Sequence, residues 1–366
     1  MTRWLETTSD SRPHHWTALA LLTAVILVRW WSFVMSPETL IDEGIYLEAF
    51  QQVVDGEDPY GASGFYYPRT FALLGGWLVG SLGELAVRSL MRLASVVGLA
   101  TLVWIAACQW PAPWRWRVAA CAVYVSVAPA VNYGIAVGNV TFVITAMVLF
   151  GLLIWSRRPW TAGLVLGAST AIKPLAPLAI LSLFVHRPRP ATRSNLIAGG
   201  VAGLLAAAIL ASNLGYLATT SGTVGRLPFI RSISLNRILV LLGLEVSPVV
   251  VAALLGGVLV VLVRLRPMSR REILCFGGLA AVVAVPIIWS HTLLLTLPLQ
   301  VVALHTAVNR RRQPGSGDGL WLRYEWIFVL LGVATLQLTE GAGAIDDQTL
   351  LFQLVILTGA YLAAEA

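Results

Sequence analysis

WTALALLTAVILVRWWSFVM, running from Trp16 to Met35, follows Arg3 and Arg12 and holds one charge in its length. A helix of roughly 20 apolar residues crosses a hydrocarbon core of about 30 Å. The run is too long for the apolar core of a secretory signal and lacks an obvious small-residue cleavage site, so it is expected to remain as a first span. Further candidate spans recur at about 88–108, 118–134, 139–155, 159–172, 174–186, 195–214, 246–264, 272–290, 292–308, 322–338 and 349–364. Hydrophobic residues make up 57% of the chain and charged residues only 12%, against about 25% charged in soluble domains. The chain therefore reads as all-α: a polytopic helical membrane protein of about twelve spans, forming one integral membrane domain over residues 1–366.

A net charge of +7 would suggest nucleic acid in a soluble protein, but here it points to topology. The basic residues sit mostly between apolar runs: Arg115 and Arg117, Arg157-Arg158, His186 to Arg193, Arg264 to Arg271, and Arg310-Arg311-Arg312. With both termini cytoplasmic and about twelve crossings, all of these connectors fall inside, as the positive-inside rule requires. The condition is that the apolar stretch Phe71 to Leu85 does not cross; it is expected to re-enter from outside or lie along the interface. Residues 36–70 then form a first extracytoplasmic loop, 214–245 a second, and 309–321 a flexible cytoplasmic loop. Gly163 and Gly167, and Gly199 and Gly203, have the spacing of close helix packing. Cys108, Cys121 and Cys275 lack metal-like spacing and read as core residues.

Polar residues gather at the outer level. Asp42 and Glu43 come just after the first span, with Asp55, Glu57 and Asp58 further along the same loop. The last three read as solvated loop residues, with Asp58-Pro59 starting a turn. Asn132, Tyr133 and Asn139 lie where the third and fourth spans turn over. Lys173 caps the short pair of segments, Arg226, Arg231, Asn236 and Arg237 occupy the second long loop, and His291 follows Trp289-Ser290. Ionisable groups at a membrane boundary are costly and mark functional sites. Lys173 could equally snorkel to the headgroups, and His291, Arg231 and Arg237 could be ordinary boundary residues. Together, a carboxylate base and a set of cations suited to phosphate fit transfer from a phosphate-linked donor to a hydroxyl.

The order Asp42, Tyr46, Gly56, Asp58-Pro59-Tyr60 and Tyr66-Tyr67-Pro68 resembles the start of the GT-C membrane glycosyltransferases. It is most similar to glycosyltransferase family 87, the actinobacterial polyprenyl-phosphate-mannose-dependent mannosyltransferases. Gly138-Asn139-Val140-Thr141 weakly resembles the family's Gly-Gln-x-Asn element. Ala162-Gly163 to Gly167 with Lys173-Pro174 resembles its Ala-Gly-x-x-x-Gly…Lys-Pro segment. Ser232 to Arg237 and Trp289-Ser290-His291 echo two later elements. Arg69 stands where the family has a second proline, and Asn139 and Thr141 where it has Gln and Asn.

The resemblance implies an inverting transfer of mannose from a polyprenyl-phosphate donor to a glycolipid or glycan hydroxyl on the outer face of the plasma membrane. Asp42 would be the base, with Glu43 as the competing base, and His291 would orient a hydroxyl or assist at the phosphate. Lys173, Arg231 and Arg237 would hold the donor phosphate, while Tyr46, Tyr60, Tyr67 and Asn139 would position substrate. No metal is required by such a scheme, although Asp42 with Glu43 could hold a divalent cation weakly. Membrane lipids are expected partners and nucleic acid is not. Two alternatives stay open: a polyprenyl-linked sugar or lipid transporter or flippase, and a GT-C transferase of another sugar such as arabinofuranose or glucose.

Overall fold

In lipid every backbone N–H and C=O must find its partner within its own segment or a closed sheet. The computed structural model describes residues 12–62, 64–173, 176–185, 192–213, 270–283, 294–302 and 305, and these contain helices and no strand. The expected spans at 246–264, 322–338 and 349–364 and the loops 214–245 and 309–321 lie outside the described residues.

The first expected span is not one straight helix. Helix α1 (Arg12–Arg29) ends at Trp30, and α2 (Trp31–Met35) follows. The interruption falls where the aliphatic run gives way to Arg29, Trp30 and Trp31, with the Arg29 guanidinium 4.4 Å from the Trp30 ring centroid. Ala18, Leu22 and Ile26 form the buried stripe of α1 and Trp16, Leu21 and Val28 are exposed. A helix apolar all round belongs in lipid.

Helix α3 (Ile41–Val54) and α4 (Arg69–Leu82) form the loop region beyond α2. Contacts advance together along both helices: Tyr46 meets Phe71, Phe50 meets Gly75 and Val53 meets Gly76. The two helices therefore run parallel, and the connection through a one-turn 3-10 helix (Pro59–Gly61) returns the chain to the starting end. At 14 residues, α4 is a single helix about 21 Å long at 1.5 Å per residue, shorter than a hydrocarbon core of about 30 Å. It presents Leu73, Leu74 and Trp77 outward. Gly83, at φ +83°, is the whole joint between α4 and α5 (Glu84–Ala107), a backbone setting only glycine takes without strain.

A methyl group at Gly75 would lie 2.2 Å from the Phe50 ring, and one at Gly80 only touches Val54 at 4.0 Å. Gly75→Ala is expected to cost about 1–3 kcal/mol as an overpacking defect, and Gly80→Ala much less. Thermal unfolding of the two variants in detergent checks this.

Among the described residues α5 and α11 (Thr192–Ala211) are long and apolar enough to cross a membrane. A third crossing is formed if α6 (Trp114–Val127) and α7 (Pro129–Val137) count as one span, bent by 59°. The expected span at 118–134 thus contains a bend, because Pro129 donates no N–H and drives Ala128 to ψ 118°. Helix α8 (Thr141–Ile154) and α9 (Pro159–Ile172) turn back on each other through residues 155–158, with Gly151 against Leu166. Helix α10 (Ala176–Val185) then returns, so α11 runs parallel to α9. Gly163 meets Val201 and Gly167 meets Leu205, each leaving only 2.7 Å for an added methyl. Helix α12 (Arg270–Val283) packs on α8 and α10, and Gly278 abuts the Leu295 carbonyl of the helical stretch 294–302.

This alternation collects distant segments at one end of the bundle. Leu40 and Glu43 meet Gly138, Thr70 meets Ala171 and Asn213, and Tyr67 meets Lys173. The other end holds His14 stacked on Trp114 and His15 bonded to Trp104.

Candidate functional site

Asp42 and Glu43 are neighbours in the first turn of α3, yet the fold turns them to different tasks. Glu43 is 1% exposed and bonds to Arg92 of α5 through both oxygens: Nε to Oε1 at 2.8 Å and Nη2 to Oε2 at 2.7 Å. Oε2 also accepts from the Leu40 N–H at 3.2 Å. The other three guanidinium protons go to the carbonyls of Phe33, Ser36 and Glu38 at 2.8, 2.6 and 2.7 Å. A guanidinium has five donors, and all five are satisfied. The pair nails the turn between α2 and α3 onto α5. Both Glu43 oxygens are thereby committed to donors of the protein itself.

Asp42 is half-buried and free of any salt bridge among the described residues. Asn139 Nδ2 donates to its Oδ2, and no hydrogen bond reaches Oδ1 among the described residues. Burial pushes the carboxyl above the usual aspartate range; the Asn139 hydrogen bond and the Lys173 charge oppose that rise. Asn139, expected to position substrate, thus donates one amide proton to Asp42. Gly138 makes this approach possible. It ends α7 in the left-handed region (φ +74°), and a methyl there would sit 3.0 Å from the Glu43 Cβ and 3.1 Å from the Leu40 Cβ.

Lys173 is the residue past the end of α9, where its own N–H bonds the Ser169 carbonyl at 3.1 Å. Its Nζ lies 5.7 Å from the Tyr67 ring centroid, within cation–π range. Protein around the ammonium pushes it down to about 8, against the pull of Asp42, although the residue keeps some exposed surface. Lys173 therefore stays mostly cationic at neutral pH. It faces Asp42 electrostatically without forming an ion pair with it.

The tyrosines divide. The Tyr46 hydroxyl, from α3, meets the Tyr67 hydroxyl at 2.7 Å, and both rings pack with Phe71. Burial raises the Tyr46 phenol well above its usual range, so it stays neutral. Tyr60 lies further out, in the one-turn helix against Phe65, its phenol pushed up to about 12 by burial. There Asp58 accepts the Tyr60 N–H at 3.2 Å, which is the turn role read from its sequence. Arg231, Arg237 and His291 lie outside the described residues.

Two contributors escaped the sequence reading. Arg92 is one, although a second Arg one turn after Arg88, inside an apolar run, is itself a signal. Thr70 is the other: its N–H bonds Asn213 Oδ1 at 3.1 Å and its Oγ1 bonds the Ala171 carbonyl at 2.9 Å, pinning the start of α4 beside Lys173. No pattern in the sequence marks it.

The sequence model of glycosyltransferase family 87 matches residues 65–296. Tyr67, Asn139 and Lys173 fall within the match, as do Arg231, Arg237 and His291, whereas Asp42, Glu43, Tyr46 and Tyr60 precede it. No curated protein and no solved structure matches the chain. The family match covers well over half of the chain, whose described residues form helices and no strand, and on that ground the chain belongs to glycosyltransferase family 87.

Proposed function

We propose that this glycosyltransferase transfers mannose from a polyprenyl-phosphate donor to a hydroxyl of a glycolipid or glycan, with inversion at the anomeric carbon. The observation that carries the reading is the half-buried Asp42 carboxylate, held at one oxygen by Asn139 and facing the cationic Lys173. The acceptor hydroxyl gives its proton to Asp42 as its oxygen bonds to the anomeric carbon. The bond from that carbon to the phosphate oxygen breaks, and its electrons leave with the polyprenyl phosphate. Lys173 supplies positive charge where the leaving phosphate gains negative charge. Tyr46 and Tyr67 form a rigid wall beside it. A phosphate monoester that leaves as an anion among cations requires no metal for this scheme.

The same reading gives Arg231 and Arg237 to the donor phosphate and His291 to an acceptor hydroxyl or the phosphate. It sets the site at the extracytoplasmic face of the plasma membrane in a chain of about twelve spans, with both termini in the cytoplasm. The positive-inside arrangement of the basic connectors supports that orientation.

The test is transfer of radiolabelled mannose from polyprenyl-phosphate-mannose into endogenous glycolipid by membranes carrying the protein, with the arabinofuranose-linked donor in parallel. Lys173→Ala is expected to lower kcat/KM for the donor by roughly 10- to 100-fold, as loss of a charge-assisted contact of about 1.5–3 kcal/mol. Lys173→Arg should recover part of it. Unchanged kinetics in Lys173→Ala would leave only snorkelling for that residue.

A further inference from the structure

Asn139 has four hydrogen-bonding sites, and the chain decides which way its amide points. The Thr141 N–H meets the side-chain oxygen at 2.8 Å, and the Thr141 hydroxyl donates to the same oxygen. A backbone N–H can only donate, so the atom it meets must be Oδ1. The NH2 group is then left facing Asp42. All of this is buried: Asn139 is 3% exposed and Thr141 1%.

We propose that Asn139, locked by Thr141, is a positioning residue that holds Asp42 by Oδ2 and leaves Oδ1 to receive the acceptor proton. The inference rests on the reading of Asp42 as the base and adds how that base is oriented. Both sides of the clamp are anchored. Asp42 follows the turn that Arg92 and Glu43 fix to α5, and Asn139 follows the left-handed Gly138 at the end of α7. The contact joins residues 97 positions apart in the chain. A carboxylate with one oxygen held by an immobile donor cannot rotate to offer the other edge. It loses little freedom when the acceptor arrives, which is where oriented groups gain their rate.

Donation to a carboxylate favours its ionised form. Around Asp42, among the described residues, Lys173 past the end of α9 acts in the same direction, while Tyr46 on α3 is neutral. Glu43 is neutralised by Arg92. Removing the Asn139 donor therefore leaves burial less opposed, and Asp42 takes up its proton at a higher pH.

The experiment follows the Asp42 carboxyl itself, by infrared titration of its protonated C=O band in purified protein. The band is assigned by its loss in Asp42→Asn. The midpoint in Asn139→Ala is expected to rise by about one pH unit or more, and that in Thr141→Val by less. Thr141→Ser keeps both donors and should titrate as the wild type. The two Thr141 variants carry the test if Asn139→Ala does not fold. In the mannose-transfer assay, Asn139→Ala should lose about ten- to a hundredfold in kcat at neutral pH, with the donor KM retained and the acid limb of the pH profile moved upward. An unmoved midpoint, with transfer still dependent on Asp42, would overturn the clamp alone. Undiminished transfer by Asp42→Asn would overturn the base, and with it the catalytic meaning of the clamp.

Discussion

Membranes carrying Asp42→Asn are expected to transfer mannose at between about 10²- and 10⁴-fold below the wild-type rate, the usual worth of a positioned general base. Asn has nearly the same shape, keeps a carbonyl oxygen to accept from Asn139, and does not disturb the buried ion pair next door. The loss should fall on kcat rather than on donor KM, since the role proposed for Asp42 is to take the acceptor's proton and not to hold the phosphate. The wild-type profile supplies the companion signature. Because burial raises the carboxyl, activity should decline as pH falls through a midpoint above the ordinary aspartate value of about 3.9. The decline follows from the sign of protonation: a protonated Asp42 cannot accept the hydroxyl proton. Glu43→Gln separates the two carboxylates, for it should act through stability and leave the acid limb in place. Measurement of kcat, KM and thermal midpoint for both variants decides the assignment.

The largest expected loss of stability comes from Arg92. Arg92 and Glu43 are 2% and 1% exposed. Deleting the guanidinium in Arg92→Met strands a buried carboxylate and three carbonyls, and one-sided removal of such a pair costs about 3–5 kcal/mol. The turn from Phe33 to Leu40 should loosen first, because Arg92 holds the carbonyls of Phe33, Ser36 and Glu38. Glu43→Gln with Arg92→Met removes both charges and should recover a large part of the loss. Thermal unfolding in detergent of the two single variants and the double variant measures the coupling, and a double variant no better than Arg92→Met would show that the carbonyl contacts dominate.

Much of the helical layout could be read from the chain. The segment 159–172 has the bounds of α9, and the apolar stretch 71–85 overlaps α4, a single helix of 14 residues. These features depend on local composition and length, which a sequence displays directly. The bend at Ala128-Pro129 was equally on display, since proline restricts the residue before it; the hydropathy of the surrounding run obscured it. The contacts of Glu43 and Asn139 were hidden for another reason. Each depends on a partner 49 or 97 positions away, and on which edge of a side chain faces it. The motif Gly138-Asn139-Val140-Thr141 contained the parts of the proposed clamp, but which edge of the Asn139 amide faces Asp42 is not legible in it.

Arg92 also bears on how the chain enters the bilayer. It lies eight residues inside α5, about 12 Å along the helix at 1.5 Å per residue, and an arginine at the centre of an inserting segment costs about 2.5–3.5 kcal/mol. Glu43 and the carbonyls of Phe33, Ser36 and Glu38 all precede it in the chain. During synthesis every partner of the guanidinium has therefore left the ribosome before α5 does. The helix inserts after its partners have been synthesised, and the order of translation becomes part of how one buried charge is accommodated.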